Sequence, residues 1–96
     1  MSAGRVECIR QALDALAPMV LDIRDDSHKH AGHAGARDGR GHFTVHIVSP
    51  RFEGLPAIKR HQLVYASLGE LMQTDIHALA IQARTPAEAA ARPDKP

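Results

Sequence analysis

Between Gly41 and Met72 the hydrophobic period of this 96-residue chain changes once, and that change limits the fold more than any other feature. Phe43, Val45 and Ile47 alternate with Thr44, His46 and Val48, a two-residue repeat that sets the first three on one face of a strand. That strand is expected to be central in its sheet. After Ser49-Pro50 the repeat becomes helical: Ala57, His61, Val64, Leu68, Leu71 and Met72 recur at steps of three and four, a stripe that must face a sheet or another helix. Arg51-Phe52-Glu53-Gly54 forms the pivot, and Pro56 falls near the helix start, where its fixed φ is tolerated and its missing N–H costs little.

The flanking segments repeat the two periods. Val6, Ile9, Leu13 and Leu16 form one apolar stripe on a first helix, with Arg5, Glu7, Arg10 and Asp14 on its other face and Cys8 packing beside the stripe. Pro18 stops it, because Ala17 before the ring is pushed out of helical geometry. Met19, Leu21 and Ile23 then alternate with Val20, Asp22 and Arg24, which predicts a strand with one covered face. The stretch from Ser27 to Gly41 has four glycines, three histidines and no large apolar side chain, too long for an ordinary hairpin turn. After a break at Gln73-Thr74-Asp75, Ile76 to Arg84 predicts a third strand, with His77 sharing a face with Leu79, Ile81 and Ala83. Thr85-Pro86-Ala87-Glu88 supplies an N-cap, a first-turn proline and a first-turn acid, so a short last helix begins there. Residues 1–88 are expected to form one domain and 89–96 a disordered tail. One core is all a chain of this length can bury.

Ser49-Pro50-Arg51-Phe52-Glu53-Gly54, the run Arg60-His61-Gln62-Leu63-Val64-Tyr65, and Ile76-His77-Ala78-Leu79 continuing to Thr85-Pro86 closely resemble the BolA family. The likeness covers roughly residues 5 to 88. It implies a class II KH-like α+β domain in the order α-β-β-α-α-β-α, a three-stranded mixed sheet with helices on one face, which agrees with the periodicity. A Gly-x-x-Gly loop of the kind that grips nucleic acid in KH domains is absent, since Gly54 is followed by Leu55-Pro56-Ala57.

Charge excludes some partners. Twelve Lys and Arg oppose eleven Asp and Glu, a net of +1, so no strong field gathers nucleic acid or lipid. The single cysteine, Cys8, excludes an internal disulfide, and the sequence shows neither an 18-residue apolar run nor a signal peptide; a cytoplasmic protein is expected. Serine-nucleophile signatures and Gly-rich phosphate loops are also missing, so no enzymatic role is expected.

The seven histidines stand out. His28, His30 and His33 in the long loop, with His77 on the last strand, are either solvated or structural side chains or metal donors; their spacing matches no closed metal site. The BolA resemblance implies that His77 and a loop histidine, best matched by His30 with His33 as the alternative, bind a [2Fe–2S] cluster shared with a monothiol glutaredoxin for iron sensing or cluster delivery. Two histidines supply half of the four ligands such a cluster needs, so a partner must supply the rest; the resemblance implies a glutaredoxin cysteine and a glutathione thiolate, and the isolated protein is expected to hold no cofactor and to be a monomer or weak homodimer. The resemblance also implies an alternative, a DNA-binding transcriptional regulator of stress response and morphology, using a helix-turn-helix-like segment from 51 to 72 with Arg51, Lys59, Arg60 and His61 as its basic group; against it, Lys59 and Arg60 read as the solvated face of an amphipathic helix and His61 as a structural residue on its stripe.

Overall fold

The computed structural model describes residues 2–26 and 41–91. Helix α1 (Ser2–Leu13) continues as a 3-10 turn over Asp14–Leu16 and is followed by strand β1 (Val20–Asp25). Strand β2 (Gly41–Val48), a 3-10 turn at Pro50–Phe52, helices α2 (Ala57–Leu68) and α3 (Leu71–Thr74), strand β3 (Ile76–Arg84) and helix α4 (Pro86–Ala91) complete the order. The sheet runs β1-β2-β3, with β1 antiparallel to β2 and β3 parallel to it, so the alternating strand is central as expected. A parallel neighbour cannot be reached by a hairpin, and here the crossover is made by α2 and α3.

The two periods meet in one core. Ile9, Leu13 and Leu16 from the first helical segment, Phe43, Val45 and Ile47 from β2, Val64 and Leu68 from α2, and Ile76 from β3 are all buried together. Phe52, which the sequence marked only as part of the pivot, is fully buried in the same cluster. Leu21, Ile23, Leu79, Ile81 and Ala83 pack against it from the outer strands, leaving the other sheet face to Asp22, Arg24, His42, Thr44, His46, Ala80 and Gln82.

Several expected positions move. Met19 precedes β1 and is 66 % exposed, because its N–H is taken by the Val48 carbonyl at 2.7 Å, beyond the last inward pair. Ala57 is exposed as the first residue of α2, so the working stripe on that helix is Val64 and Leu68 with Leu63 beside them. Cys8 is exposed and not packed. Ala17 does leave the helix, but into the left-handed region at φ 50°, where its N–H bonds the Asp14 carbonyl at 3.0 Å. Such a conformation costs an L-residue about 1–2 kcal/mol. The adjoining junction is secured by Ser49, whose buried hydroxyl donates to the Leu16 carbonyl and accepts the Arg51 N–H. Helix α4 reaches Ala91, past the expected start of the tail; residues 92–96 lie outside the described residues.

Candidate functional site

Strand β3 does not keep a strict two-residue period at its start. Gly41 pairs with Ile76, but the next residue of β2, His42, pairs with Ala78. One residue is therefore extra on β3, and that residue is His77. A bulge of this kind re-aims a side chain while the ladder resumes on either side. Its effect is visible in burial: Ile76 is 1 % exposed, Leu79 packs on the core three positions later, and His77 between them is exposed. The expectation that His77 shares the inner face with Leu79 and Ile81 is thus corrected, because strict alternation does not survive an inserted residue.

His77 meets another imidazole. Its ring centroid lies 5.1 Å from that of His42, with 50° between the planes. His42 was missed as a site residue, since only the register of β2 against β3 brings it there; its place one step before Phe43 on the outer face was a signal available from alternation. A groove of about 330 Å³ continues from His42 past Asp26, Thr44, Ala78 and Ala80. Asp26 is held in place by the Thr44 hydroxyl at 2.5 Å and by Arg24 at 3.4 Å.

This end of the sheet is anchored from both sides. Gly41 N–H donates to the Asp75 carbonyl at 2.9 Å and Asp26 N–H to the His42 carbonyl at 2.7 Å. Arg5 of α1 reaches the Asp75 carboxylate at 3.3 Å. The Thr74 hydroxyl holds that carboxyl below its ordinary range, and Arg5 adds to the effect against the opposing cost of burial. The segment 27–40 therefore leaves from Asp26 and returns at Gly41, both within a residue or two of His77's strand neighbours. His28, His30 and His33 themselves lie outside the described residues. Among the described residues, no group of three or more His, Cys, Asp or Glu is placed to hold a metal ion.

The basic group is split. Arg51 and Lys59 are exposed and His61 is half-buried on α2. Arg60 is committed elsewhere: its Nε donates to the Leu55 carbonyl at 2.8 Å, its Nη1 to the Ala83 carbonyl at 3.1 Å, and its two terminal nitrogens grip Glu88 at 2.6 and 2.9 Å. Glu88 also caps α4 reciprocally, accepting the Thr85 N–H at 3.0 Å while the Thr85 hydroxyl accepts the Glu88 N–H at 3.1 Å. Arg60 drives the Glu88 carboxyl down to about 2, with the Thr85 amide assisting. A guanidinium this engaged has little left for a phosphate, which corrects the inclusion of Arg60 in a nucleic-acid surface.

The BolA family profile, described as BolA-like protein, matches residues 13–88, and the chain belongs to that family. It is 51 % identical over 87 residues to BolA-like protein 1 of Homo sapiens, covering 88 % of this chain and 61 % of that protein; the chain thus spans about three fifths of the length of such curated relatives. The solved BolA domain of SufE1 from Arabidopsis thaliana superposes with a TM-score of 0.78 at 41 % identity, covering 88 % of this chain and 95 % of that domain. The DNA-binding transcriptional regulator BolA of Escherichia coli (strain K12) is 38 % identical over 71 residues, covering 74 % of this chain and 65 % of that protein. The fold is the α+β BolA arrangement the sequence implied. No helix among the described residues is long and apolar enough to cross a membrane.

Proposed function

We propose that this chain is a non-catalytic, cytoplasmic partner of a monothiol glutaredoxin, with which it shares a [2Fe–2S] cluster for iron sensing or for delivery to other proteins. The observation that carries the reading is the bulge at His77, which holds an exposed imidazole on a rigid strand at the end of the sheet where segment 27–40 is anchored. His77 is the fixed ligand. His30 is the second ligand, with His33 as its substitute; His30 lies four positions after Asp26 in the chain, a span of at most about 14 Å. The partner's active-site cysteine and a glutathione thiolate complete the set, and imidazole ligation raises the potential of such a cluster relative to all-thiolate ligation. His42 packs against His77 and limits the orientations its ring can take.

Reconstitution with a monothiol glutaredoxin, iron, sulfide and glutathione tests the reading through visible circular dichroism. His77→Ala abolishes the mixed histidine and cysteine signature of the complex. His30→Ala weakens it less, and His30→Ala with His33→Ala matches the loss at position 77. Identical spectra for wild type and His77→Ala, or stoichiometric iron and sulfide retained by the protein alone after desalting, refute it.

The name of the Escherichia coli relative favours a second reading, DNA-binding regulation. The exposed cations available to it on this segment are Arg51 and Lys59, and two phosphate contacts give a shallow salt dependence, with a log–log slope of about −2. Nanomolar binding to a specific duplex in about 150 mM salt, with a slope that Lys59→Ala reduces by nearly one, is the result that would promote this reading over the first.

A further inference from the structure

The bulge in β3 also builds a pair. Gly41 pairs with Ile76 and His42 with Ala78, so His77 and Ala78 together stand opposite His42. Two imidazoles from neighbouring strands therefore share one end of the sheet, with ring centroids 5.1 Å apart. Their planes are tilted by 50°, so the rings are not stacked.

The separation is the one that a shared metal ion would impose. A ring nitrogen lies about 2.0–2.1 Å from zinc, which places each centroid about 3.2 Å from the metal. Two centroids at that distance are about 5.2 Å apart at the tetrahedral angle and about 4.5 Å apart at a right angle. The observed 5.1 Å matches the tetrahedral case.

Both backbones are already fixed. Phe43 beside His42 and Ile76 beside His77 are buried in the core, the Asp26 N–H donates to the His42 carbonyl at 2.7 Å, and the Gly41 N–H donates to the Asp75 carbonyl at 2.9 Å. Donors held in advance lose little freedom when an ion binds. The way in is also open. His77 is exposed, and the groove of about 330 Å³ runs from His42 along Ala78 and Ala80, whose methyl groups leave room for water on the ion. Asp26 lines the same groove and sets a carboxylate near a cation there, with Arg24 at 3.4 Å offsetting part of its charge.

We propose that His42 and His77 form a two-point site for a tetrahedral divalent transition cation such as zinc in the apo protein. Imidazole suits zinc, whereas calcium and magnesium take oxygen ligands and are rejected. Water fills the remaining positions, so the ion exchanges and is held more weakly than in a closed four-ligand site. The pair needs neither segment 27–40 nor a partner protein, and the proposal stands independently of the cluster reading.

Calorimetric titration of the apo protein with zinc chloride at neutral pH tests it, with NMR of the histidine ring protons. Wild type is expected to bind one equivalent with a Kd between about 1 and 200 µM, the range left when two of a structural site's four ligands act. His42→Ala and His77→Ala each weaken binding about tenfold or more, and the double change weakens it little further, because one imidazole alone no longer chelates. Two controls keep the wild-type affinity within about threefold: His46→Ala, on the same sheet face with Asp22 at 3.9 Å, and the triple change His28→Ala, His30→Ala, His33→Ala. In wild type the His42 and His77 ring signals shift together and saturate at one equivalent, which decides the matter if a variant fails to fold. No zinc binding below about 1 mM, wild-type affinity in His42→Ala, loss of binding in the loop triple variant, or ring shifts confined to other histidines overturns the proposal. The titration contains no glutaredoxin, iron or sulfide, so such a failure leaves the cluster reading standing; a heterocomplex that forms no cluster while zinc binds normally does the reverse.

Discussion

The two ends of β3 treat polar side chains in opposite ways. At its C-terminal end Arg60, the Leu55 and Ala83 carbonyls, Thr85 and Glu88 satisfy one another, drawing the start of α2, the end of β3 and the first turn of α4 into one knot. At its N-terminal end His77 is lifted out of the ladder and exposed, while the backbone beneath it is tied to Gly41 and, through Asp75, to Arg5. Both ends carry residues that look functional in sequence. A side chain whose nitrogens are all engaged by its own chain holds the fold together; one exposed on a fixed backbone is accessible from solvent. That difference separates Arg60 from His77.

The largest effect is expected where neither end is favoured. Leu68 is 3 % exposed in the core cluster under α2, and Leu68→Ala should cost about 2–5 kcal/mol, read as a lower urea midpoint with an unchanged slope. A loss below about 0.5 kcal/mol means that the shared core is not packed as described. Next comes Arg60→Ala, which removes a charged donor from two carbonyls and a carboxylate and should cost about 1–3 kcal/mol. Arg60→Lys should recover little, because an ammonium cannot reproduce the planar fork on Glu88. Amide exchange should quicken around Thr85 to Ala91 and stay unchanged at Ile76 to Ala78; uniform quickening would erase the distinction between the ends.

A smaller effect comes from acid. Glu88 titrates near 2 in the folded chain against an ordinary 4.5, so its contribution to stability is complete above pH 4.5 and is lost as pH falls through about 2. Glu88→Gln should therefore flatten the stability profile between those limits and leave the neutral region's slope alone. Denaturant melts from pH 2 to pH 7 check this, and an unaltered acid limb in the variant would show that the knot contributes nothing to it.

Much of this was legible in the sequence, for physical reasons. The switch from a two-residue to a helical period at Ser49-Pro50 located β2 and α2, and Thr85-Pro86-Ala87-Glu88 announced its own cap, because in both cases the determining groups are sequence neighbours. What was not legible depends on distance or on a single inserted residue. Arg60 and Glu88 are 28 positions apart, so a helix-face cation and a helix-start acid gave no sign of being partners. The bulge at His77 breaks a period that the residue pattern itself keeps, and His42 becomes its neighbour only through that register. Phe52 reads as a turn residue until the turn is seen to fold over the core.

The smallest expected effect is the sharpest test of the contrast. His77 is exposed, its backbone position is set by Ile76 in the core and by the Gly41–Asp75 hydrogen bond, and its described ring contact is with His42. Truncation at such a position leaves no cavity and removes none of those backbone ties, so His77→Ala should change stability by no more than about 0.5 kcal/mol. The urea midpoint and the exchange rates of the Ile76 and Ala78 amides measure it together. A loss above about 1 kcal/mol would mean that the imidazole pair holds the bulge in place, which would make His77 a structural residue of the same kind as Arg60. Stability retained while the heterocomplex spectrum is lost requires instead that the bulge belongs to the backbone, and that the histidine is placed on it to be reached from outside.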